Sequence, residues 1–95
     1  MPAYLIADTH ITDQRTYDEY KRQVVPVIAK FGGRFLVRGG AHEVLEGTWQ
    51  PARLVVIEFP DMEALKAWYN SPEYAPLRAM RQPAATDHLV AVPGA

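Results

Sequence analysis

Two stretches of the chain constrain its fold most, because both have the composition of β-strands that are apolar on both sides. The first is AYLIADTHI, residues 3–11, and the second is RLVVIEF, Arg53–Phe59. Successive residues of a strand point to opposite faces, and in both stretches each face carries apolar side chains, although the first turns polar from Asp8 onward. Such strands are covered on both faces in folded proteins. We therefore expect a sheet with a layer packed against each side.

A helix is predicted between the first and second strands. Asp13 is a suitable N-cap, and Gly32-Gly33 end the pattern, one of them in the left-handed conformation. Pro26 lies inside the helix and removes a hydrogen bond to the carbonyl of Arg22, so we expect a kink or a break there. Apolar residues recur at steps of three and four, as in an amphipathic helix: Tyr17, Tyr20, Val24, Val27 or Ile28, and Phe31.

The rest of the chain adds two strands and further helix. Arg34–Arg38 alternates as a strand, Val44–Glu46 is a short apolar piece followed by a turn at Gly47, and His88–Val92 is a last strand. Two helix starts are predicted between them, one capped by Asp61 and carrying Met62, Leu65 and Trp68 or Tyr69, the other at Ser71-Pro72. In the second helix Tyr74, Leu77 and Arg81 share a face, and Pro76 predicts a short or irregular helix.

The order strand, helix, strand, strand, helix, strand predicts an α+β fold, the ferredoxin-like βαββαβ arrangement with an antiparallel sheet, as a single domain of residues 1–95. The helices of this arrangement cover only one face of the sheet. No element is left to cover the other face, although the strands predict that it is apolar. We therefore expect a homodimer in which two sheets pack into a dimeric α/β barrel.

Composition excludes several classes of function. The net charge is −1 and the pI is near 6.3, which argues against a nucleic-acid partner. The absence of cysteine excludes disulfides and thiol chemistry. The first residues lack the basic segment and long apolar run of a signal peptide, and no apolar run reaches membrane-spanning length, so a cytoplasmic protein without membrane contact is expected.

The segment GGRFLVRGG raises the question of a ligand loop. Its glycine pairs begin and end a strand, which is the wrong order for a dinucleotide-binding fingerprint. The spacing of Arg34 and Arg38 predicts that both point to one face, where a buried guanidinium needs an anion. A small carboxylate ligand, Glu46 or Glu58 would provide it. The alternative is a structural ion pair or an exposed edge strand whose charges prevent aggregation.

The candidate ligand-binding residues are charged side chains that can hold or orient an anion and aromatic side chains that can form the wall of a pocket. Each has a structural alternative: a surface turn for the glutamate, a strand-edge cation or a helix-surface pair for the arginines, and core or dimer packing for the aromatic residues. We expect the glutamate to orient Arg38 across a hairpin, and Tyr74 and Arg81 to act together from one helix face. The candidates are Arg38, Glu46, Arg53, Trp68, Tyr74 and Arg81.

The three histidines give weaker indications. Asp8 and His10 share a strand face and form a possible general-base pair, although this spacing is frequent by chance. His42 lies in a polar turn, and His88 begins the last strand. Without cysteines or a helical histidine pair, neither a metal site nor any cofactor is predicted.

Several motifs at these spacings together resemble the family called domain of unknown function 1330. They are the first helix with its internal proline, FGGRFLVRGG, LEGTW, RLVVIEFPD and AWYNSPEYAPLRAMR. The resemblance implies membership of the dimeric α/β-barrel superfamily, which includes cofactor-independent monooxygenases, muconolactone isomerase-like enzymes, haem proteins and ligand sensors. It leaves three hypotheses: a cofactor-independent enzyme acting on a small anionic or carbonyl metabolite, a non-catalytic binding or interaction module, and a haem-binding relative.

Overall fold

A computed structural model of residues 1–95 shows a four-stranded antiparallel sheet with its helices packed on one face. The strand order across the sheet is β2-β3-β1-β4. This is the ferredoxin-like βαββαβ arrangement, so the predicted fold class is confirmed. The elements are β1 (Ala3–Ile11), α1 (Gln14–Lys30), β2 (Arg34–Arg38), β3 (Leu54–Phe59), α2 (Met62–Tyr69), α3 (Ala75–Ala84) and β4 (Ala85–Pro93).

The ends of α1 form as the sequence predicts. The Asp13 carboxylate accepts a hydrogen bond from the backbone N–H of Thr16 at 3.2 Å. At the other end Gly32 has a φ of +82°, and the N–H of Gly33 donates to the carbonyl of Ile28 at 3.0 Å. This left-handed glycine followed by a bond back across the last turn is a Schellman ending, which satisfies carbonyls that the helix leaves free.

The predicted break at Pro26 is wrong, because α1 continues through it to Lys30. Pro26 and Arg22 are both exposed on α1. Because Pro26 has no N–H, the carbonyl of Arg22 loses its helical hydrogen-bond partner. Water can therefore satisfy that carbonyl. Four other residues of α1 turn inward to the core: Tyr17, Tyr20, Val24 and Ile28.

The start of α3 lies later than predicted. Ser71 does cap a turn, since its hydroxyl accepts from the N–H of Tyr74 at 3.1 Å and donates to the Trp68 carbonyl at 2.8 Å. The helix itself begins at Ala75. Pro76 then falls in the first turn, where no helical partner is needed for its missing N–H, so the irregularity predicted there is wrong.

A β-bulge in β2 separates the two arginines of this strand. Arg34 pairs with Glu58 of β3, but Arg38 pairs with Val55, because Leu36 is an extra residue without a partner. Glu58 lies on the open face of the sheet, whereas Val55 is buried beneath the helices. Residues paired across antiparallel strands share a face. The prediction that Arg34 and Arg38 lie on one face is therefore wrong.

The connection between β2 and β3, which includes the apolar piece Val44–Glu46, contains no strand. It crosses to the open face of the sheet, where the Trp49 indole and the backbone N–H of Ala52 each donate to the Asp8 carboxylate at 2.9 Å. The bond from Trp49 is the main reason why the pKa of Asp8 is lowered. None of the helices combines the length and the apolar character that crossing a membrane requires.

Candidate functional site

A cavity lies between the helix-covered face of the sheet and the inner sides of the helices. The volume available to the centre of a water-sized molecule is about 50 Å³, several times the minimum that one water needs. The cavity opens to solvent and encloses about 520 Å³ of empty space when the opening is included. Its walls are mainly apolar and contain five aromatic residues: Tyr17, Tyr20, Phe35, Trp68 and Tyr74.

A chain of buried polar groups belongs to the lining of the cavity. The hydroxyls of Tyr20 and Tyr74 lie 2.9 Å apart, and Nε of Arg81 donates to the Tyr74 hydroxyl at 3.3 Å. The other end of the Arg81 guanidinium forms an ion pair with Asp87, the second residue after the start of β4. Both side chains of this pair are only 6% exposed, so each charge depends on the other for its burial.

Burial controls the protonation of this chain. Burial raises the pKa of Tyr20, and the neighbouring Tyr74 raises it further, so Tyr20 remains a neutral phenol well above the usual range. Burial alone would lower the pKa of Arg81, but Tyr74 and Asp87 outweigh it and the net shift is upward. This part of the lining therefore holds a fixed ion pair and neutral hydroxyls, rather than a free charge.

Two arginines of the lining have no carboxylate partner. Arg53 is half-buried, with its guanidinium carbon 5.7 Å from the centre of the Tyr17 ring and a long hydrogen bond of 3.5 Å to the Tyr17 hydroxyl. Arg38 is exposed and stacks on the Phe35 ring at 4.3 Å. No carboxylate lies within 4.0 Å of either guanidinium. Both arginines can therefore accept an anion.

The lining as a whole is cationic although the chain is not. It contains four cationic side chains and one carboxylate, Asp87, in a protein whose net charge is −1. Lys21 is partly engaged by Asp18 at 3.4 Å and Arg81 fully by Asp87, which leaves Arg38 and Arg53. A cleft with one sign of charge and low-dielectric walls concentrates ligands of the opposite sign.

The structure brings together five of the six residues predicted as ligand-binding. The exception is Glu46, which is exposed in the connection between β2 and β3, does not line the cavity and forms no ion pair with Arg38. The hairpin across which it was expected to orient Arg38 does not form. The five that line the cavity are Arg38, Arg53, Trp68, Tyr74 and Arg81.

Arg34 and the histidines have other surroundings. Arg34 donates to Glu58 on the open face at 2.8 Å, the structural ion pair considered as its alternative. His10, His42 and His88 are all exposed, and none lines the cavity. Trp49 and Ala52 donate to the Asp8 carboxylate and no hydrogen bond joins it to His10, so the expected general-base pair is not formed.

Sequence reasoning missed three residues of the site. Tyr17 and Tyr20 were assigned to the apolar stripe of α1. A buried tyrosine hydroxyl needs a hydrogen-bond partner, and this requirement could have indicated polar groups beside the core. Asp87 carried no signal. It contacts Arg81 because α3 is followed directly by β4. Such a change from helix to strand is not marked by any periodic pattern in the sequence.

The chain was compared with known families and structures. The model of the family described as "Domain of unknown function (DUF1330)" matches residues 2–95. The chain belongs to this family. A comparison with curated proteins finds no match. The identification made from the sequence is thus confirmed.

Solved structures of the same fold are distant in sequence. A protein of unknown function from Rhodopseudomonas palustris is 20% identical with a TM-score of 0.80, covering 99% of this chain and 82% of that one. SnoaB, a cofactor-independent oxygenase from Streptomyces nogalater, is 11% identical with a TM-score of 0.69, covering 99% and 93%. A dimeric ferredoxin-like protein of unknown function from Jannaschia sp. is 12% identical with a TM-score of 0.65, covering 99% and 100%. At these identities the likeness establishes the fold alone.

Proposed function

We propose that this protein binds a small organic anion in the cavity between its sheet and its helices, and that binding takes place in the cytoplasm. The observation that carries the proposal is the pair of arginines, Arg38 and Arg53, that border an aromatic cavity with no carboxylate partner. A guanidinium holds a carboxylate through two parallel hydrogen bonds, and the low dielectric of the cavity strengthens them. The apolar walls would bury the body of the ligand.

The chemistry that such a site favours is stabilisation of negative charge on oxygen. A guanidinium fixed beside a bound carbonyl compound stabilises an enolate as it forms, without a cofactor. The shared fold with a cofactor-independent oxygenase supports this second candidate, an enzyme acting on a carbonyl metabolite. Incubation with a panel of oxo acids followed by mass spectrometry distinguishes the two: a changed ligand identifies an enzyme, and saturable binding of an unchanged ligand identifies a binding protein.

Substitutions of three arginines test the anion site, and the two in β2 form a matched pair, Arg38 beside the cavity and Arg34 on the opposite face. Arg53→Gln and Arg38→Gln each remove a charge that borders the cavity, whereas Arg34→Gln removes the same charge from the opposite face. We expect calorimetry with benzoate, the simplest aromatic carboxylate, to show binding weakened about tenfold or more by the first two changes and unchanged by the third. Equal affinity in all four proteins, or no binding to any, would contradict the proposal.

We further propose that the protein forms a homodimer through the open face of its sheet. That face carries exposed apolar side chains, among them Val37, Val90 and Val92. The molecule is only 17 Å thick, the depth of one sheet and one helix layer, and its surface of 5950 Å² exceeds the roughly 5500 Å² expected for a monomer of 10.7 kDa. A second copy would cover this face, and a similar ferredoxin-like protein is described as dimeric.

A further inference from the structure

The Tyr17 hydroxyl lies against a guanidinium that has no carboxylate partner. Nη1 of Arg53 donates to the phenol oxygen over 3.5 Å, and the guanidinium carbon is 5.7 Å from the centre of the Tyr17 ring. Burial raises the pKa of Tyr17, whereas Arg53 and the nearby Thr9 hydroxyl act in the opposite direction, as groups that stabilise a phenol oxygen do. Both contacts engage the oxygen of the phenol, so its proton remains available to a further acceptor.

The pairing of the strands fixes where this contact lies. The N–H of Thr9 donates to the carbonyl of Arg53 at 2.9 Å, so the two residues lie side by side on neighbouring strands. They continue the alternation of the buried pair Ala7 and Val55, which places both side chains on the helix-covered face. Thr9, Arg53 and Tyr17 all line the cavity. The hydroxyl and the guanidinium therefore meet within the candidate site.

The other guanidinium groups of the lining have different neighbours. Arg38 stacks on the ring of Phe35 at 4.3 Å, and Arg81 is bound by the Asp87 carboxylate. Arg53 thus combines a charge without a carboxylate partner and an adjacent hydroxyl. Two donors side by side, one of them cationic, match a ligand oxygen that carries negative charge and lone pairs but no proton.

We propose that Tyr17 is the second anchor of the anion site and donates its phenol proton to the same ligand carboxylate that Arg53 holds. The proposal rests on the proposed function, because it requires a carboxylate at Arg53. One carboxylate can reach both groups, since only 3.5 Å separates their polar atoms. Because burial raises the pKa of Tyr17 above its ordinary value of 10.0, the donor keeps its proton at the neutral pH at which carboxylates are ionised.

Removal of the phenol oxygen tests the proposal. Tyr17→Phe keeps the ring that packs in the core, and Tyr4→Phe makes the same change on the open face, where Tyr4 donates to Glu58. We expect titration with benzoate, followed by nuclear magnetic resonance, to show binding weakened about tenfold by the first change, the loss of one hydrogen bond to a charged group, and unaltered by the second. Equal affinity of Tyr17→Phe and the unaltered protein would overturn the proposal.

A double variant separates direct contact with the ligand from an effect transmitted through Arg53. If Tyr17 contacts the ligand, Tyr17→Phe should weaken benzoate binding a further threefold, roughly, or more when Arg53→Gln is already present. If Tyr17 only holds Arg53 in position, the change should have no effect in that background, and this result would contradict the proposed donor role.

The unaltered protein gives a measurement that does not depend on whether the variants fold. The resonance of the tyrosine ring carbon that bears the hydroxyl responds to hydrogen bonding by the phenol. At saturating benzoate the resonance of Tyr17 should have moved, and that of Tyr4 should have stayed in place. A Tyr17 resonance that ignores the ligand would refute the proposal even where Tyr17→Phe is unstable.

These results separate the two proposals. Benzoate that binds through Arg53 but is indifferent to Tyr17 leaves the anion site in place and removes only the role of Tyr17. Failure of benzoate to bind the unaltered protein removes both.

Discussion

The two faces of the sheet are built from alternate residues of the same strands, yet they carry different kinds of group. On the helix-covered face the polar groups are buried and form a connected chain from Tyr20 to Asp87. On the open face the apolar residues are exposed or only partly buried, and Tyr4 and Arg34 both donate to Glu58. The first arrangement suits a ligand, and the second suits another protein surface.

The bulge at Leu36 shows how one residue divides these roles. Without it, simple alternation would place Arg34 and Arg38 together. With it, Arg34 joins the ion pair of the open face and Arg38 borders the cavity. The same residue type on the same short strand therefore serves structure at one end and is available for binding at the other.

The largest expected effect comes from breaking the buried ion pair. Arg81→Met leaves Asp87 buried and unpaired, which should lower the free energy of unfolding by about 3–5 kcal/mol, as measured by urea denaturation. Arg34→Met breaks the ion pair on the open face, where one partner is largely exposed, and should cost only about 0–1 kcal/mol. Similar losses in the two variants would show that the two faces do not differ in this respect.

Self-association should be sensitive to charge on the open face only. Val90→Glu places a carboxylate among exposed apolar residues, and because Val90 is 58% exposed the chain itself should remain folded. Light scattering should then change from the mass of a dimer to that of one 10.7 kDa chain. Gln23→Glu, on the exposed side of α1, is the control and should remain dimeric. A monomeric wild-type protein at micromolar concentration would disprove the dimer.

Alanine substitutions at two glycines distinguish the effect of backbone strain from the effect of crowding beside the cavity. Gly39 and Gly47 both have left-handed backbone, with φ of +75° and +89°, so alanine should cost about 1–2 kcal/mol at either position. At Gly39 the added Cβ would also lie 2.5 Å from Nε of Arg53, whereas at Gly47 nothing lies within 4 Å. Gly39→Ala should therefore displace Arg53 and weaken benzoate binding. If Gly47→Ala weakens binding equally, displacement of Arg53 is not the cause.

The smallest effect concerns alkaline pH. Burial raises the pKa of Tyr17 and Tyr20 above the ordinary value of 10.0. Above pH 10 the unfolded chain releases protons that the folded chain retains, so stability should fall as the pH rises, whereas below pH 10 these residues contribute no pH dependence. Tyr20→Phe should make the decline shallower, as urea midpoints at successive pH values would reveal. Tyr4→Phe, on the open face, is the control, and an equal change there would contradict this assignment.

Local signals in the sequence predicted most of the fold. Asp13 caps α1 and Gly32 ends it because short-range hydrogen bonds and backbone conformation depend on few neighbours. The break expected at Pro26 does not occur, because the helix can continue where the freed carbonyl faces water, which is a property of the packed molecule. Pro76 was misread because the helix begins one turn later than its capping serine implies.

The candidate site was less accessible to sequence reasoning. The aromatic residues and arginines that line the cavity stand out by type, and five were identified. Their arrangement depends on contacts between distant elements: the bulge in β2 reassigns Arg38, and the passage from α3 into β4 brings Asp87 to Arg81. Alternation and helical periodicity describe single elements, so neither contains this information.

The two tryptophans of the chain test the central claim most directly, since they report on opposite faces. Trp68 lines the cavity, and Trp49 binds Asp8 on the open side of the sheet. Their indole N–H resonances can be followed together by nuclear magnetic resonance during titration with benzoate. If ligands bind beneath the helices, the Trp68 resonance should move in a saturable manner and the Trp49 resonance should stay in place. Movement of Trp49 with an unchanged Trp68 would place binding on the open face and contradict the account.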